Sequence, residues 1–241
     1  MIPILVLNLP CAKDRKEHMI NILSDQGLIE ETHYTILKGV DGRDISQEEV
    51  DRINKTRMKY YKEKTRPMTR GQIGCIKSHL LAYKTIIENG YEECMILEDD
   101  TSFVKSFSDI MIIMSTFTDR DSYDYLLLHR EVSDMCLKAK NWSIVKNWFK
   151  TPYIDKPTKN PHFLTPGLCM GTNAQIVSLR GAKKLLEWFK TIYDPMDIQI
   201  HMMNGHCSVF DSNRYKPLRS YALSEVAMKP AGFPSSTMTI R

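Results

Sequence analysis

The sequence predicts an α/β layered fold in which helices flank a mostly parallel central sheet. Several short apolar runs are continuous, as in strands that are buried on both faces of a sheet, and helix patterns with charged faces stand between them. Strands and helices that alternate in this way pack as layers around parallel strands. The chain has 241 residues, 42% of them hydrophobic, which is enough for one large core, and we expect a single domain over residues 1–241.

The chain opens with two strand patterns separated by a helix pattern. The apolar run 2–9 is the first predicted strand. Residues 13–26 carry one apolar stripe among charged residues, which predicts a helix, and Gly27 is a suitable residue to end it. Residues 33–40 are the second predicted strand, closed by an Asp-Gly turn at 41–42.

Two capping boxes predict the next two helices. Residues 46–49 begin a short polar helix, and the stretch 54–68 behind it, rich in Lys and Arg, is expected to be a surface loop. Residues 69–72 form the second capping box, and apolar residues then recur every three or four positions up to an Asn-Gly stop at 89–90. We therefore expect a long helix that leads into a buried strand.

The remaining elements are shorter and less periodic. The stretch 131–168 contains four prolines and little regular pattern, so we expect a long loop or lid there. The other predicted elements are strands over 94–97, 125–128 and 173–179, a helix capped near Ser106 and a helix over 180–193.

Composition excludes several classes of protein. The 33 basic residues exceed the 29 acidic ones by a net charge of +4, too little to indicate nucleic-acid binding but suited to an anionic small ligand. Six cysteines without a C-x-x-C pair predict neither a zinc site nor a disulfide framework, and buried free thiols are typical of a reducing compartment. No apolar run reaches 18 residues, and the first is too short for a membrane span and wrongly flanked for a signal peptide, so we expect a cytoplasmic, soluble chain without a transmembrane segment.

Three consecutive carboxylates follow the predicted strand 94–97. Glu98, Asp99 and Asp100 repel one another unless a cation lies between them. Mg²⁺ and Mn²⁺ prefer oxygen ligands and are usually held by one or two carboxylates plus substrate phosphates, which favours a nucleotide diphosphate site; the alternative is a solvated acidic turn. Because side chains alternate along a strand, we expect Glu98 and Asp100 to point one way and Asp99 the other.

A second acidic site follows the helix 180–193. Asp197 lies in the sequence Asp-Pro-Met-Asp, before a helix pattern that ends near His206. This aspartate is a candidate general base, and helix N-capping is the structural alternative for an aspartate at such a junction. His201 and His206 are more typical of ordinary packed or surface histidines than of metal ligands.

Other common catalytic signatures are absent from the sequence. It contains neither G-x-G-x-x-G nor a Walker pattern, which disfavours an NAD enzyme or a P-loop ATPase. It also lacks G-x-S-x-G and H-E-x-x-H, which disfavours the usual serine hydrolases and zinc proteases.

A series of short motifs runs through most of the chain. They are VLNL at 6–9, KDR at 13–15, GVDGR at 39–43, TRGQIGC at 69–75, SH at 78–79, ILEDD at 96–100, GTNA at 171–174, GAKKL at 181–185 and PMD at 195–197. In this order they resemble the motifs of family 25 glycosyltransferases, which include bacterial lipooligosaccharide galactosyltransferases and procollagen hydroxylysine galactosyltransferases. The resemblance covers residues 4 to 206.

The resemblance implies a GT-A-like fold and an inverting transfer of a hexose, galactose or glucose, from a UDP-sugar. The acceptor would be a glycan or a collagen-like protein with hydroxylysine, and the cofactor Mn²⁺ or Mg²⁺. Asp197 would be the catalytic base. The implied donor-site residues are Asn8, Arg15, Arg43, Ser78, His79 and Asp99, and the implied metal ligands are Glu98, Asp100 and His206. The acidic motif is Glu-Asp-Asp, where many related enzymes have Asp-x-Asp.

Ser78 and His79 are neighbours on the long predicted helix. Since they cannot both face the core, we expect one of them to face the donor site and the other to lie on the surface.

Two other functions remain open at this point. Strand-end carboxylates and a bound diphosphate also suit a metal-dependent nucleotidyltransferase or nucleotide-sugar hydrolase. A catalytically silent domain that binds a sugar nucleotide is the third alternative. Product analysis separates the enzyme reactions, since glycosyl transfer releases UDP, whereas nucleotidyl chemistry releases pyrophosphate or a monophosphate.

Overall fold

The computed structural model describes residues 1–61, 66–118, 123–129, 155–167, 171–203 and 217–233. The helices in these ranges are α1 (Lys13–Ser24), α2 (Gln47–Tyr61), α3 (Arg70–Glu88), α4 (Phe107–Ser115), α5 (Leu179–Trp188) and α6 (Met196–His201). The strands are β1 (Ile4–Asn8), β2 (Tyr34–Lys38), β3 (Glu93–Glu98), β4 (Thr101–Phe103), β5 (Tyr125–Leu127), β6 (Lys156–Pro157), β7 (Phe163–Thr165), β8 (Ala174–Ser178), β9 (Ser220–Leu223) and β10 (Met228–Pro230). Among the described residues, none of the helices has the length and apolar character needed to cross a bilayer.

The fold is α/β, as predicted, with a large central sheet. The strand order of this sheet is β2-β1-β3-β8-β5-β9-β7-β6, and β4 pairs with β10 in a small second sheet. Strand β8 runs antiparallel to both of its neighbours, and β7 does the same. The other six strands point in one direction, so the sheet is mostly parallel in orientation but mixed in its pairing.

The central sheet is covered by helices on both faces. Along β1, Leu5 and Leu7 belong to one apolar cluster, and Ile4 and Val6 belong to the other. Residues of α3 and α5 complete the first cluster, whereas α1 and α4 complete the second. This two-sided burial is the reason that the strand reads as a continuous apolar run.

Helix α3 begins and ends as the sequence predicts. The backbone N–H of Gln72 donates to Thr69 Oγ1 over 3.1 Å, and the Gln72 side chain accepts from the Thr69 N–H over 2.9 Å, which completes the capping box. The helix packs closely on the loop after β2, because a Cβ atom on Gly74 would lie 2.7 Å from the Val40 carbonyl oxygen. This contact brings the start of α3 against the end of β2.

The predicted loop over 54–68 is wrong for residues 54–61, which continue α2. Only Val50 and Ile53 of this helix are buried, so no apolar stripe marks its second half. Lysine, arginine and methionine are good helix formers. Their helix propensity extends α2 over residues that have no hydrophobic period. Arg57, in this second half, is held by the buried carboxylate of Asp194.

Of the predicted loop or lid at 131–168, the structure describes only residues 155–167, and the rest lies outside the described residues. This described part contains β6 and β7 at the edge of the sheet, with Phe163 buried. Strands of two and three residues are too short to leave a recognisable period in the sequence.

Candidate active site

A cleft opens at the carboxyl ends of β1, β2 and β3, the edge at which ligands bind in open α/β sheets. Six of the predicted donor-site and metal-site residues line it: Asn8, Arg15, Ser78, His79, Glu98 and Asp99. The structure therefore brings these residues, which span positions 8 to 99, to one place.

Asp99 is held between the end of β1 and the start of α1. Asn8 Nδ2 donates to Asp99 Oδ2 over 2.8 Å, and Arg15 Nη1 donates to Asp99 Oδ1 over 2.8 Å. The same Arg15 nitrogen lies 3.3 Å from Asp100 Oδ2. Burial by itself lowers the pKa of Arg15, but the hydrogen bond and the charge of Asp99 outweigh it and raise that pKa. The positive charge of Arg15 is thus largely matched by Asp99.

Three consecutive residues before β8 each donate a hydrogen bond to a different carboxylate. The Gly171 N–H donates to Asp197 Oδ2 over 3.1 Å. Thr172 Oγ1 donates to Glu98 Oε1 over 2.7 Å. Asn173 Nδ2 donates to Asp100 Oδ1 over 2.8 Å. The segment 171–173 therefore joins the predicted base to two of the three predicted metal ligands, Glu98 and Asp100.

The two outer carboxylates of the triplet have opposite pKa shifts. Burial would raise the pKa of Glu98, but hydrogen bonds from His79 and Thr172 lower it overall. Burial and the negative charge of Glu98 raise the pKa of Asp100, against the opposing effect of Arg15. The cluster thus holds more negative charge than its neighbouring guanidinium balances, which suits a bound cation.

A buried relay of hydrogen bonds orients His79. Gln175 Nε2 donates to His79 Nδ1 over 2.9 Å, which leaves the ring proton on Nε2, 3.2 Å from Glu98 Oε1. Tyr83 donates its hydroxyl hydrogen to Gln175 Oε1 over 3.4 Å, which agrees with this orientation of the amide. The relay fixes both the tautomer of His79 and the position of the Glu98 carboxylate.

The expectation that either Ser78 or His79 lies on the surface is wrong. Their exposed fractions are 6% and 0%, and both line the cleft. Ser78 Oγ accepts from the Val40 N–H over 2.8 Å and donates to the Gly74 carbonyl over 2.9 Å, so it fastens α3 to the loop after β2. Helix α3 is buried over a wide arc, between this loop and the central sheet, and two consecutive positions both fall within it.

Asp197 is in the first turn of α6, but it is not the N-cap, a position that Pro195 occupies. Its Oδ1 accepts from the N–H of Ile198 over 2.9 Å, and its Oδ2 accepts from Gly171. Burial raises the pKa of Asp197, and the charge of Glu98 raises it further, although these backbone hydrogen bonds oppose the shift. A carboxylate with a raised pKa is suited to accept a proton near neutral pH.

Arg43 lies outside the cleft. Its side chain is 62% exposed and pairs with Asp41, whose pKa the guanidinium lowers to about 2. The preceding residue, Gly42, lines the cleft, but Arg43 does not. His206, the third predicted metal ligand, lies outside the described residues.

His129 and the segment 171–173 contribute to this site in ways that the sequence did not reveal. His129 Nδ1 donates to the Met228 carbonyl over 3.0 Å, so Nε2 carries a lone pair. That Nε2 is buried and has no hydrogen-bond partner among the described residues. It faces Gly171, since a Cβ atom there would lie 3.7 Å from it. A single histidine after a strand belongs to no motif, whereas GTNA at 171–174 was a visible one.

Comparisons with known proteins agree with the resemblance that the motifs suggest. The family model for glycosyltransferase family 25 (LPS biosynthesis protein) matches residues 1–200. Procollagen galactosyltransferase 2 of Homo sapiens is 26% identical over 187 residues, which are 76% of this chain and 27% of the human protein. A Bos taurus relative named probable inactive glycosyltransferase 25 family member 3 is 22% identical over the same share of this chain and 28% of its own.

The chain therefore spans little more than a quarter of the length of these relatives. Among solved structures, HddC from Yersinia pseudotuberculosis complexed with GMP-PN covers 100% of this chain and 98% of its own, with 11% identity and a TM-score of 0.39, too low to bear on substrate or reaction. The family model covers most of the chain, and Glu98 and Asp99 of the acidic triplet line the cleft. The chain belongs to glycosyltransferase family 25.

Proposed function

We propose that this chain transfers a hexose, galactose or glucose, from a UDP-sugar to a hydroxyl group of a glycan or a hydroxylysine residue, with inversion at the anomeric carbon. The observation that carries the proposal is the segment 171–173, which donates hydrogen bonds to Asp197, Glu98 and Asp100. It places a candidate base beside an acidic pair that suits a diphosphate-bound cation. The human relative is named a galactosyltransferase of procollagen, which favours galactose and a collagen-type acceptor.

The donor would bind in the cleft, with its diphosphate near the ends of β1 and β3. Asn8 and Arg15 hold Asp99, and this arrangement keeps the strand ends in place. Because Arg15 is already paired, it cannot by itself neutralise a diphosphate as well. Arg43, which follows Gly42 of the cleft lining, is a candidate for contact with the nucleotide.

Mn²⁺ or Mg²⁺ fits the residues that the structure brings together. Glu98 and Asp100 offer only oxygen ligands, which these hard ions prefer, and burial and the charge of Glu98 raise the pKa of Asp100 in spite of the opposing charge of Arg15. Glu98 and Asp100 would hold the ion, and His206 stays a proposed third ligand. When bound, such an ion supplies Lewis-acid stabilisation of the charge on the leaving diphosphate.

Asp197 would accept the proton of the acceptor hydroxyl as that oxygen attacks the anomeric carbon. The Gly171 N–H fixes the orientation of the carboxylate, and its raised pKa increases its basicity.

Asp197→Asn tests the role of the base. The amide cannot accept the proton, so we expect the variant to fold and bind UDP while transfer falls by on the order of 10²-fold or more. Transfer is measured as UDP release from UDP-galactose with an acceptor glycan or hydroxylysine peptide, and UDP affinity by calorimetry. Asp44→Asn, a change at an exposed aspartate, is the matched control. Near-normal turnover of Asp197→Asn would remove this residue from the role.

Asp100→Ala tests the metal pair. We expect it to abolish the Mn²⁺-dependent part of UDP binding, because one of the two carboxylates that would hold the ion is lost. Calorimetric titration with UDP, with and without Mn²⁺, measures the effect, and Asp25→Ala at an exposed site is the control. UDP affinity equal to that of the wild type in the presence of Mn²⁺ would contradict the metal assignment.

A further inference from the structure

We propose that Cys75, His79 and Glu98 form a zinc site in the cleft, distinct from the oxygen-only pair of Glu98 and Asp100. Cys75 Sγ, a nitrogen of His79 and a carboxylate oxygen of Glu98 all lie within 4.8 Å of one another. The three residues also line the cleft. This inference does not depend on the proposed transfer reaction.

The secondary structure places the three ligands. Cys75 and His79 are four residues apart on α3, so their side chains lie on one face of the helix. Glu98 ends β3, which packs against that face. A C-x-x-x-H spacing by itself is not a recognised zinc-binding motif. The third ligand is added only by the packing of α3 on the sheet.

The separation of the nitrogen and oxygen ligand atoms fits a tetrahedral ion, and the sulfur lies within 4.8 Å of both. His79 Nε2 lies 3.2 Å from Glu98 Oε1. Two ligand atoms about 2.0 Å from a tetrahedral zinc ion are roughly 3.3 Å apart. Three protein ligands with a fourth position open to solvent is also the arrangement of zinc sites that bind an external ligand. Here the fourth position would face the cleft.

Two neighbouring side chains support the ligands from behind. Thr172 donates to Glu98 Oε1, and Gln175 contacts His79 Nδ1. For His79 Nε2 to bind zinc, its proton must leave, and Nδ1 must become protonated. Gln175 can then turn its amide so that Oε1 accepts from Nδ1, and the Tyr83 hydroxyl can accept from the amide nitrogen.

The thiol decides which metal the site prefers. A thiolate favours zinc over Mn²⁺ or Mg²⁺, which prefer oxygen. On binding, the bond between Cys75 Sγ and hydrogen breaks, a bond between Sγ and zinc forms, and one proton is released to solvent. Because Glu98 belongs to both sets, zinc and the hard cation of the proposed transferase site would exclude each other. We therefore expect zinc to weaken Mn²⁺-dependent UDP binding.

Cobalt is the direct probe of this site. Titration of the metal-free, reduced chain with Co²⁺, without nucleotide, should produce a thiolate-to-cobalt charge-transfer band and the intense visible bands of tetrahedral cobalt, which Zn²⁺ then displaces. Cys75→Ser should lose the charge-transfer band, and Cys11→Ser, a change at an exposed cysteine, should keep it. Absence of the band in the wild type, or its survival in Cys75→Ser, would overturn the proposal.

A second measurement does not depend on the folding of a variant. Bound Zn²⁺ should protect Cys75 from alkylation, as mapped by peptide mass, while Cys11 is modified at an unchanged rate. Equal modification of Cys75 with and without zinc would also overturn the proposal.

The variant Gln175→Leu tests the residue that supports His79. With folding confirmed by circular dichroism, we expect its cobalt affinity to fall about 10-fold to 100-fold, as is usual when the partner of a ligating histidine is removed.

These outcomes are separate from those that test transfer. Cobalt binding through Cys75 in a chain that transfers no sugar would support the zinc site and contradict only the proposed function. Active transfer without a cobalt–thiolate band would support the proposed function and contradict the zinc site.

Discussion

Gly171 shows how a single residue can control the arrangement of the site. Its φ angle is +90°, in a region that side chains rarely adopt, and its N–H donates to the proposed base Asp197. A Cβ atom at this position would also lie 3.0 Å from Asn173 Oδ1, the amide whose nitrogen holds Asp100. A change at residue 171 therefore acts on two carboxylates at once.

We expect Gly171→Ala to lower kcat, in addition to the loss of folding stability that an alanine at this backbone angle causes. Backbone strain of this kind costs about 1–3 kcal/mol. Gly90→Ala is a matched control, because Gly90 has a φ of +65° and no atom within 4 Å of an added Cβ. Urea unfolding should show similar losses for both variants, while kcat should fall only in Gly171→Ala. Equal kcat values for the two variants would show that residue 171 does not position the carboxylates.

At the scale of elements, α2 and α6 are joined by one buried ion pair. Arg57, on α2, pairs with Asp194, just before α6, and also donates to the Tyr193 carbonyl over 2.5 Å. Burial raises the pKa of Asp194 to about 7 despite the opposing charge of Arg57. Tyr60 stacks on Tyr193 with ring centroids 4.2 Å apart, which adds an apolar contact beside the pair. The basic residues after 54 thus include a structural anchor for the segment that carries Asp197.

Arg57→Met should destabilise the fold by about 3–5 kcal/mol, because it leaves a buried carboxylate without its cation. The folded state binds the Asp194 proton more tightly than the unfolded state does, so this carboxyl destabilises the fold increasingly as pH rises from about 4 to about 7. Without Arg57 its pKa rises further, and the loss should be larger at about pH 8 than at about pH 5. Urea unfolding at the two pH values measures this.

The double variant Arg57→Met, Asp194→Asn is the control for that prediction. It removes both charges, so it should regain part of the stability that Arg57→Met loses. It should also lack nearly all of the pH dependence that Arg57→Met adds. A pH-independent loss in Arg57→Met would show that its cause is packing and not the unpaired carboxylate.

At the scale of the whole molecule, the site depends on strands from distant parts of the chain. Strands β1, β2 and β3 present their carboxyl ends to the cleft, and β8 runs antiparallel beside β3. Because of this direction, the residues before β8 reach the edge at which β3 ends. The hydrogen bonds to Glu98, Asp100 and Asp197 therefore form only when β8 is paired with the sheet.

Since binding to the folded cleft stabilises the whole chain, UDP with Mn²⁺ should raise Tm. At a free ligand concentration of about 100 Kd the gain is about 2.7 kcal/mol, or roughly 5–10 °C for a chain of this length. Thermal unfolding with UDP, with Mn²⁺ and with both measures it, and a panel of UDP-sugars would rank donors. An unchanged Tm at saturating UDP and Mn²⁺ would contradict nucleotide binding in the cleft.

Much of the local architecture was predictable from sequence because it depends on neighbouring residues. The capping box at 69–72 predicts the start of α3, and the apolar run before Glu98 predicts β3. The polar second half of α2 was missed, because too few of its residues are buried to produce a helical period. The roles of the segment 171–173 were missed because strand-end rules consider carboxyl ends, and this segment precedes an antiparallel strand.

The sequence by itself determined the α/β class, the order of the main strands and helices, and an acidic cluster at the end of a buried strand. These follow from periodicity, caps and strand ends, which are local properties. Only the tertiary structure decided that residues 171–173 hold the carboxylates of Asp197, Glu98 and Asp100, that Arg57 meets Asp194, and that Cys75 and His79 meet Glu98. The physical reason is that strand direction and helix packing join residues far apart in the chain, and no local pattern encodes which of them will touch.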